Sequence, residues 1–370
     1  MPLCLEEFIF NTLYMIDFFI KVKQQKAQNL PFVLYRKPNN IKLIGFFQNN
    51  DHLYFAENFE ETGFVFAPFN GSQMILIPRN QSVKWETLIA CSQENEDSDF
   101  IDSEDIQVKE HFEMLVQKGI DAIAKGTLKK VVLSRKEIVG LSNFDLVSIF
   151  EKLIQNYPTA FCYCWFHPKI GLWMGATPER LLKANTNTFY TMSLAGTQKL
   201  QGDEEVVWEK KEMEEQQFVT DFILDNLKEL TSEVSVSSPY TAQAGTLAHI
   251  KTDIEGVIND NSSLKEVVSV LHPTPAVCGL PKEVAKNFIL ENEGYDREYY
   301  TGFLGELNKE GFNKGEIKSD LYVNLRCMQI KDNQAHLYVG CGITKDSIPE
   351  KEWRESVNKS MTMKKILDLK

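Results

Sequence analysis

FVLYR (32–36), IKLIGFF (41–47), HLYFA (52–56), GFVFAPF (63–69) and QMILIPR (73–79) follow one another in quick succession. Each run is short, rich in aromatic and β-branched residues, and bounded by polar turn residues. That pattern predicts an antiparallel sheet. The segment before it, MPLCLEEFIFNTLYMIDFF (1–19), is apolar in patches but interrupted by Glu6, Glu7 and Asp17. It has no basic stretch ahead of the apolar part, so it reads as an amphipathic helix rather than a leader. Downstream, 92–105 (SQENEDSDFIDSED) reads as an acidic surface loop.

Helical spacing returns over 108–125, where Phe112, Leu115, Val116, Gly119, Ile120 and Ile123 form one apolar stripe. Further helices are expected over 145–156, 203–230, 262–271, 281–293 and 350–367. Pro281 is expected at a first helical position. Strands are expected over 130–139, 159–166, 171–175, 189–195, 301–307, 317–326 and 335–339. Strands and helices do not alternate strictly, and several strand pairs have connections too short for a crossover helix. The fold class is therefore α+β, with antiparallel sheets at the centre and helices packed outside.

The chain has 370 residues, 43% hydrophobic and 25% charged, with 40 basic against 52 acidic side chains and a net charge of −12. No basic patch with interleaved aromatics offsets that acidity, which argues against a nucleic-acid partner. No run approaches the roughly 20 apolar residues of a membrane span. Seven irregularly spaced cysteines complete no zinc pattern, and reduced thiols in a cytoplasmic protein are the expectation. A monomer is the default. An acidic protein that binds an anionic metabolite needs local positive charge, from a cation or from a few placed Lys and Arg.

Four groups of residues could carry chemistry. Glu212 and Glu215 in WEKKEMEEQQ (208–217) are three apart and share a helix face, as do Glu352 and Glu355 in PEKEWRES (349–356). Two such faces brought together would make an all-carboxylate site for a hard cation such as Mg²⁺. The same spacing also describes two solvated helix faces. Lys130 heads the apolar run KVVLSR (130–135), where lost hydration would suit a general base, although its ammonium could equally reach solvent. Glu179 lies in GATPER (175–180), where an apolar wall could keep its proton for donation, or Arg180 could pair with it. Finally, GCGI (340–343) reads as a glycine turn offering backbone N–H groups to a carboxylate, with Arg326 as a cationic partner or as a surface ion pair.

Taken in order, KVVLSR (130–135), GATPERLL (175–182), LAGT (194–197), KEMEEQ (211–216), HPTPAVCG (272–279), YDREYYTG (295–302), VNLRCMQ (323–329), GCGIT (340–344) and PEKEWRESVNK (349–359) resemble the chorismate-utilising enzymes. The likeness spans about 230 of the 370 residues. It is nearest to the isochorismate synthases, because a lysine stands at 130 and none stands in HPTPA (272–276). Salicylate synthases share that lysine but tend to carry arginine where this chain has Tyr338.

The resemblance implies the family's sandwich-like fold, with 1–105 as an N-terminal lobe adding strands to it and 106–370 as the chorismate-binding catalytic region. It implies Mg²⁺-dependent conversion of chorismate to isochorismate, feeding menaquinone or siderophore synthesis. Lys130 would activate water for attack at C2, and Glu179 would protonate the departing C4 hydroxyl. Glu215 and Glu355 would bind the metal directly, with Glu212 and Glu352 behind them. Gly196, Ala276, Arg326, Gly340 and Lys359 would line the substrate. Two positions depart from the family pattern: Gln216, where histidine is usual, and Cys341, where alanine is usual.

Overall fold

The computed structural model describes residues 5–71, 73–89, 105–199, 206–244, 247–311, 315–367 and 369. Helix α1 (Leu5–Ala27) precedes β1 (Phe32–Arg36), β2 (Lys42–Gln48), β3 (Tyr54–Ala56), β4 (Gly63–Ala67), β5 (Met74–Pro78) and β6 (Ser82–Leu88). Then come α2 (Ile106–Ala124), β7 (Lys130–Gly140), α3 (Leu146–Asn156), β8 (Phe161–His167), β9 (Gly171–Thr177), β10 (Arg180–Asn185) and β11 (Thr188–Lys199). Helix α4 (Lys210–Leu227) leads to β12 (Thr231–Val236), β13 (Tyr240–Ala244), β14 (Leu247–Ile258), α5 (Leu264–Leu271), β15 (Gly279–Leu280) and α6 (Lys282–Asn292). The chain closes with β16 (Phe303–Glu310), β17 (Ile317–Val323), β18 (Cys327–Lys331), β19 (Gln334–Ile343) and α7 (Pro349–Lys364).

Among the described residues these strands form two antiparallel sheets. One runs β15-β7-β19-β18-β9-β8-β1-β2-β6, and the other β12-β14-β11-β10-β17-β16-β4-β5-β3, with β13 added on β14. The early aromatic runs do not make a sheet of their own. β1, β2 and β6 join the first sheet, and β3, β4 and β5 join the second. The sheets face each other through aromatic side chains. Phe161 stacks on Tyr322 at 4.2 Å between ring centroids, and Phe66 lies 4.7 Å from Trp165. Burying each such ring stabilises the sandwich by about 1.5–3 kcal/mol.

Helices cover the outer faces. α1 and α3 bury Phe18, Val22, Phe150 and Leu153 against the first sheet, and α2, α6 and α7 bury Phe112, Ile289 and Trp353 against it. α4 and α5 bury Val219, Ile223, Val267 and Leu271 against the second. The expected stripe on α2 faces inward as read, and the helix is capped by Asp105, which accepts from the N–H groups of Gln107 and Val108. The rest of the acidic stretch 92–104 lies outside the described residues.

Several boundaries differ from expectation. The helix expected over 203–230 is described only from Lys210 to Leu227, after irregular backbone at 206–209; residues 203–205 lie outside the described residues. Pro281 is the N-cap of α6 rather than its first helical residue. The strand expected over 317–326 stops at Val323, because Arg326 turns the chain at φ +47° before it resumes as β18. β14 was not anticipated. It buries Ala248, Ile250, Thr252 and Ile254 on one face, while Lys251, Asp253 and Glu255 alternate with them and dilute its apolar signal.

One buried ion pair ties the first sheet to its neighbours. Glu293, just after α6, accepts from the Ser134 N–H at 2.7 Å and from the Ser134 hydroxyl at 2.9 Å. Arg297 grips both carboxylate oxygens at 2.7 and 2.5 Å, and donates to Val132 O at 2.7 Å and Val277 O at 3.0 Å. Both side chains are 1% exposed. Arg297→Met should therefore cost about 3–5 kcal/mol, since it leaves a buried carboxylate and two carbonyls without their partner. Urea unfolding measures this, and a loss under about 1 kcal/mol, typical of a surface pair, would contradict it.

Candidate active site

The expected residues come together in one cavity of about 200 Å³, where the start of β7, the 272–277 turn and the end of β19 meet α4 and α7. Its lining includes Lys130, Glu179, Gly196, Glu212, Glu215, Ala276, Arg326, Gly340, Glu352, Glu355 and Lys359. Every site residue named from the sequence is present.

Two helices aim their carboxylates into this space because their rotation is fixed. On α4, the Gln216 amide donates to Ser193 Oγ, Thr220 Oγ1 and Thr252 Oγ1 at 3.1, 3.0 and 2.7 Å. Gln216 thus anchors α4 on β11 and β14, which leaves Glu212 and Glu215 on the cavity side. On α7, Arg135 lies over the Trp353 ring at 4.5 Å and donates to Ser356 Oγ at 2.9 Å. That contact faces Glu352, Glu355 and Lys359 toward the cavity. Cys341 is buried, its thiol directed at Glu352 O, so the extra sulfur packs between β19 and α7.

Lys130 is buried, and its Nζ lies 2.6 Å from Glu215 Oε1. On α7, Lys359 Nζ lies 2.6 Å from Glu355 Oε1 and 2.9 Å from Gly340 O. Glu179 is also buried, and burial pushes its carboxyl up to about 7, with Lys130 and Lys359 pulling the other way. Arg180 does not pair with it. Arg180 donates instead to Asp320 at 2.9 Å and to Tyr322 Oη at 2.9 Å. Glu179 is thus a protonatable carboxyl near neutral pH.

Arg326 reaches the cavity from a left-handed backbone position that a non-glycine residue rarely adopts. Its guanidinium donates to Thr362 Oγ1 at 3.2 Å and, among the described residues, has no carboxylate at ion-pair distance. Gly196 at φ +70° sits beside a break in the β11–β14 register, and a Cβ there would come 3.1 Å from Glu212 Cβ. The stretch GCGI, expected as a turn, is instead continuous strand at the end of β19, paired with Val131–Leu133 and Ser134 of β7. Val132 and Ser134 send their N–H groups the other way, to Cys278 O and Glu293. Gly340 and Gly342 therefore direct their own N–H and C=O groups away from β7, to the side that β18 leaves open beyond Tyr338. Backbone donors still reach the cavity, by strand pairing rather than by a turn.

Sequence reading gave no role to two further residues here. Tyr300 and His249 both line the cavity. His249 Nδ1 is 2.9 Å from Gly196 O, and burial lowers its pKa, which favours a neutral ring. No spacing signal marked His249, since it lies on β14, which was itself not anticipated.

The donor set of the cavity suits a hard cation. Glu212, Glu215, Glu352 and Glu355 offer only carboxylate oxygens, and Glu212 Oε2 is buried with no hydrogen-bond partner among the described residues. Both observations fit Mg²⁺. Among the described residues no three His, Cys, Asp or Glu side chains already stand at metal-ligand spacing, and Glu215 and Glu355 are turned onto lysines instead.

The raised Glu179 pKa has a consequence for stability. Between the ordinary carboxylate value and about 7, the folded state holds a proton that the unfolded chain has released. Stability therefore falls as pH rises through that window. Glu179→Gln removes this cost, so its stability relative to wild type should rise by about 3 kcal/mol between pH 4 and pH 8. Thermal denaturation at the two pH values reads it, and a difference independent of pH would contradict the assignment.

The sequence profile of the family described as "Chorismate binding enzyme" matches residues 72–368. Isochorismate synthase EntC of Escherichia coli is 33% identical over 271 residues, covering 70% of this chain and 67% of that protein. Among solved structures, the menaquinone-specific isochorismate synthase MenF from Escherichia coli superposes with a TM-score of 0.74 at 21% identity, over 91% of this chain and 88% of that one. Anthranilate synthase component I from Streptococcus pneumoniae superposes with a TM-score of 0.65 at 17% identity, over 90% and 92%. The fold is thus shared by proteins of different reaction names, and reaction type has to come from the site. With a family match over most of its length, this chain is an enzyme of the chorismate-binding family.

Proposed function

We propose that the protein is an Mg²⁺-dependent isochorismate synthase that adds water at C2 of chorismate and expels the C4 hydroxyl. The observation that carries this reading is Glu179, a buried carboxyl held near pH 7 on the same cavity as the buried Lys130. One group can give a proton at neutral pH, and the other is a lysine that takes one in its neutral form, after it has parted from Glu215 and lost its own proton. The relatives named isochorismate synthase support the same choice.

In this mechanism the Lys130 amine accepts a proton from water, whose oxygen bonds to C2. The ring double bonds shift, and Glu179 protonates the C4 hydroxyl as it leaves as water. One water enters and one departs, so atoms balance. Arg326 and the backbone at Gly340 would hold the enolpyruvyl carboxylate, with Gly196, Ala276 and Lys359 lining the ring. Mg²⁺, held by Glu215 and Glu355 with Glu212 and Glu352 behind them, would neutralise and orient the ring carboxylate. Two carboxylates on the substrate explain why an acidic protein concentrates Lys130, Arg326 and Lys359 at one place.

Chorismate with Mg²⁺ should yield isochorismate, and chelation should abolish turnover until Mg²⁺ is restored. Glu179→Gln and Lys130→Met should each lower kcat by about 10²–10⁴. Release of pyruvate with salicylate as the main product would refute the synthase reading in favour of a salicylate synthase. Wild-type turnover by Glu179→Gln would refute the acid.

A further inference from the structure

Two contacts in the cavity are not used by the proton transfers. Lys130 Nζ holds Glu215 Oε1 at 2.6 Å, and Lys359 Nζ holds Glu355 Oε1 at 2.6 Å. These carboxylates come from different helices, and they are the two read as direct ligands of the cation. Both ammonium groups are shielded, with side-chain exposures of 3% for Lys130 and 19% for Lys359. Arg326 lines the same cavity but donates to the Thr362 hydroxyl instead. The lysines therefore sit on the cation's ligands, while Arg326, near enough to feel the Glu355 charge, donates to neither carboxylate.

We infer that Lys130 and Lys359 are competing counter-ions of the cation-binding carboxylates, so that a divalent cation enters by opening two lysine–glutamate pairs. The inference rests on the Mg²⁺-dependent reading above. A dication bound about 2.1 Å from a carboxylate oxygen would lie within about 5 Å of an ammonium still held by that oxygen. Repulsion between the two in a shielded cavity drives the ammonium off. Each lysine has somewhere to go. Lys359 already holds Gly340 O as a second partner at 2.9 Å. Beside Lys130 the wall is Gly342, where a Cβ would come 3.1 Å from Lys130 Cε and 3.2 Å from Glu215 Oε1. The bare glycine leaves room for that pair to part.

Competition also accounts for the arrangement of the four glutamates. Without a cation, four carboxylates around one small cavity would repel one another. The two lysines neutralise one on each helix; Lys130 also ties α4 to β7, whereas Lys359 pairs within α7 and reaches β19 only through Gly340 O. The same exchange turns the lysines toward the cavity interior, where base and substrate contact are needed.

The test is Mn²⁺ binding to the full-length protein without substrate, followed by electron paramagnetic resonance. Lys359→Met should bind Mn²⁺ several-fold tighter than wild type, less than for a fully buried pair because the Glu355 side chain is 38% exposed. Lys359→Arg, which keeps a cation for Glu355, should stay near wild type. Arg326→Met removes a positive charge from the same cavity without opening a pair, and should tighten binding much less. Equal tightening by Arg326→Met and Lys359→Met would overturn the inference, because general charge would then suffice. So would unchanged affinity in Lys359→Met. A second readout uses wild type alone: saturating Mn²⁺ should increase acylation of Lys359 by acetic anhydride, scored by mass spectrometry, and unchanged labelling would overturn the inference. Wild type that binds no Mn²⁺ removes the Mg²⁺ reading and the inference together, whereas bound Mn²⁺ with unmoved variants sinks the inference alone.

Discussion

The Glu293–Arg297 pair is the constraint on which the cavity depends, because three of its walls are tied to those two side chains. Glu293 holds Ser134, and Arg297 holds Val132 O, so β7 is fixed just beyond Lys130. The same guanidinium holds Val277 O beside Ala276 and the hydroxyl of Thr301 beside Tyr300. Base, turn and aromatic wall are thus referenced to one rigid fork. Arginine suits this task because its planar donors satisfy several acceptors at once from a single buried position. The desolvation of the pair is offset by the backbone groups it satisfies, including the Val132 carbonyl that faces away from the β7–β19 ladder.

The two acidic helices are delivered by other means, and the difference is informative. Neither relies on an apolar stripe alone. Gln216 anchors α4 through the hydroxyls of Ser193 and Thr252 on the sheet, and Arg135 anchors α7 through an indole face and a serine. Polar anchors specify rotation more sharply than apolar packing does, since their geometry is directional. Glutamine therefore replaces the usual histidine without turning the helix away from the cavity. The resulting balance of charge, with Glu179 able to keep its proton up to about pH 7 and lysines on Glu215 and Glu355, suits the dianionic substrate and dication proposed to meet in the same space.

Much of this was legible in the residues. The aromatic runs at 32–79 announced antiparallel strands, and the i,i+3 glutamates announced two acidic helix faces. Their allocation to two different sheets was not legible, because strand partners such as β1 with β8 and β4 with β16 are set by contacts far apart in sequence. GCGI looked like a turn because glycine is usual there; the strand carries it because a Cβ at Gly340 would come 2.7 Å from Leu133 O, and one at Gly342 3.1 Å from Lys130 Cε. β14 escaped because its charged residues alternate with its apolar ones, and His249 went with it. The Glu293–Arg297 spacing is that of countless surface pairs, and only burial distinguishes it. The acid role of Glu179 was open at the level of local chemistry, and the commitment of Arg180 to Asp320 removes the competing pairing.

In the proposed reaction this cavity directs water to one end of an allylic system while protonating a hydroxyl at the other. Turnover of chorismate in H₂¹⁸O, with the product analysed by mass spectrometry, tests it most directly. Isochorismate carrying one ¹⁸O in its C2 hydroxyl is the predicted result. Isochorismate that retains only substrate oxygen at C2 would contradict it, because the hydroxyl would then have migrated within the molecule and Lys130 would have no water to activate.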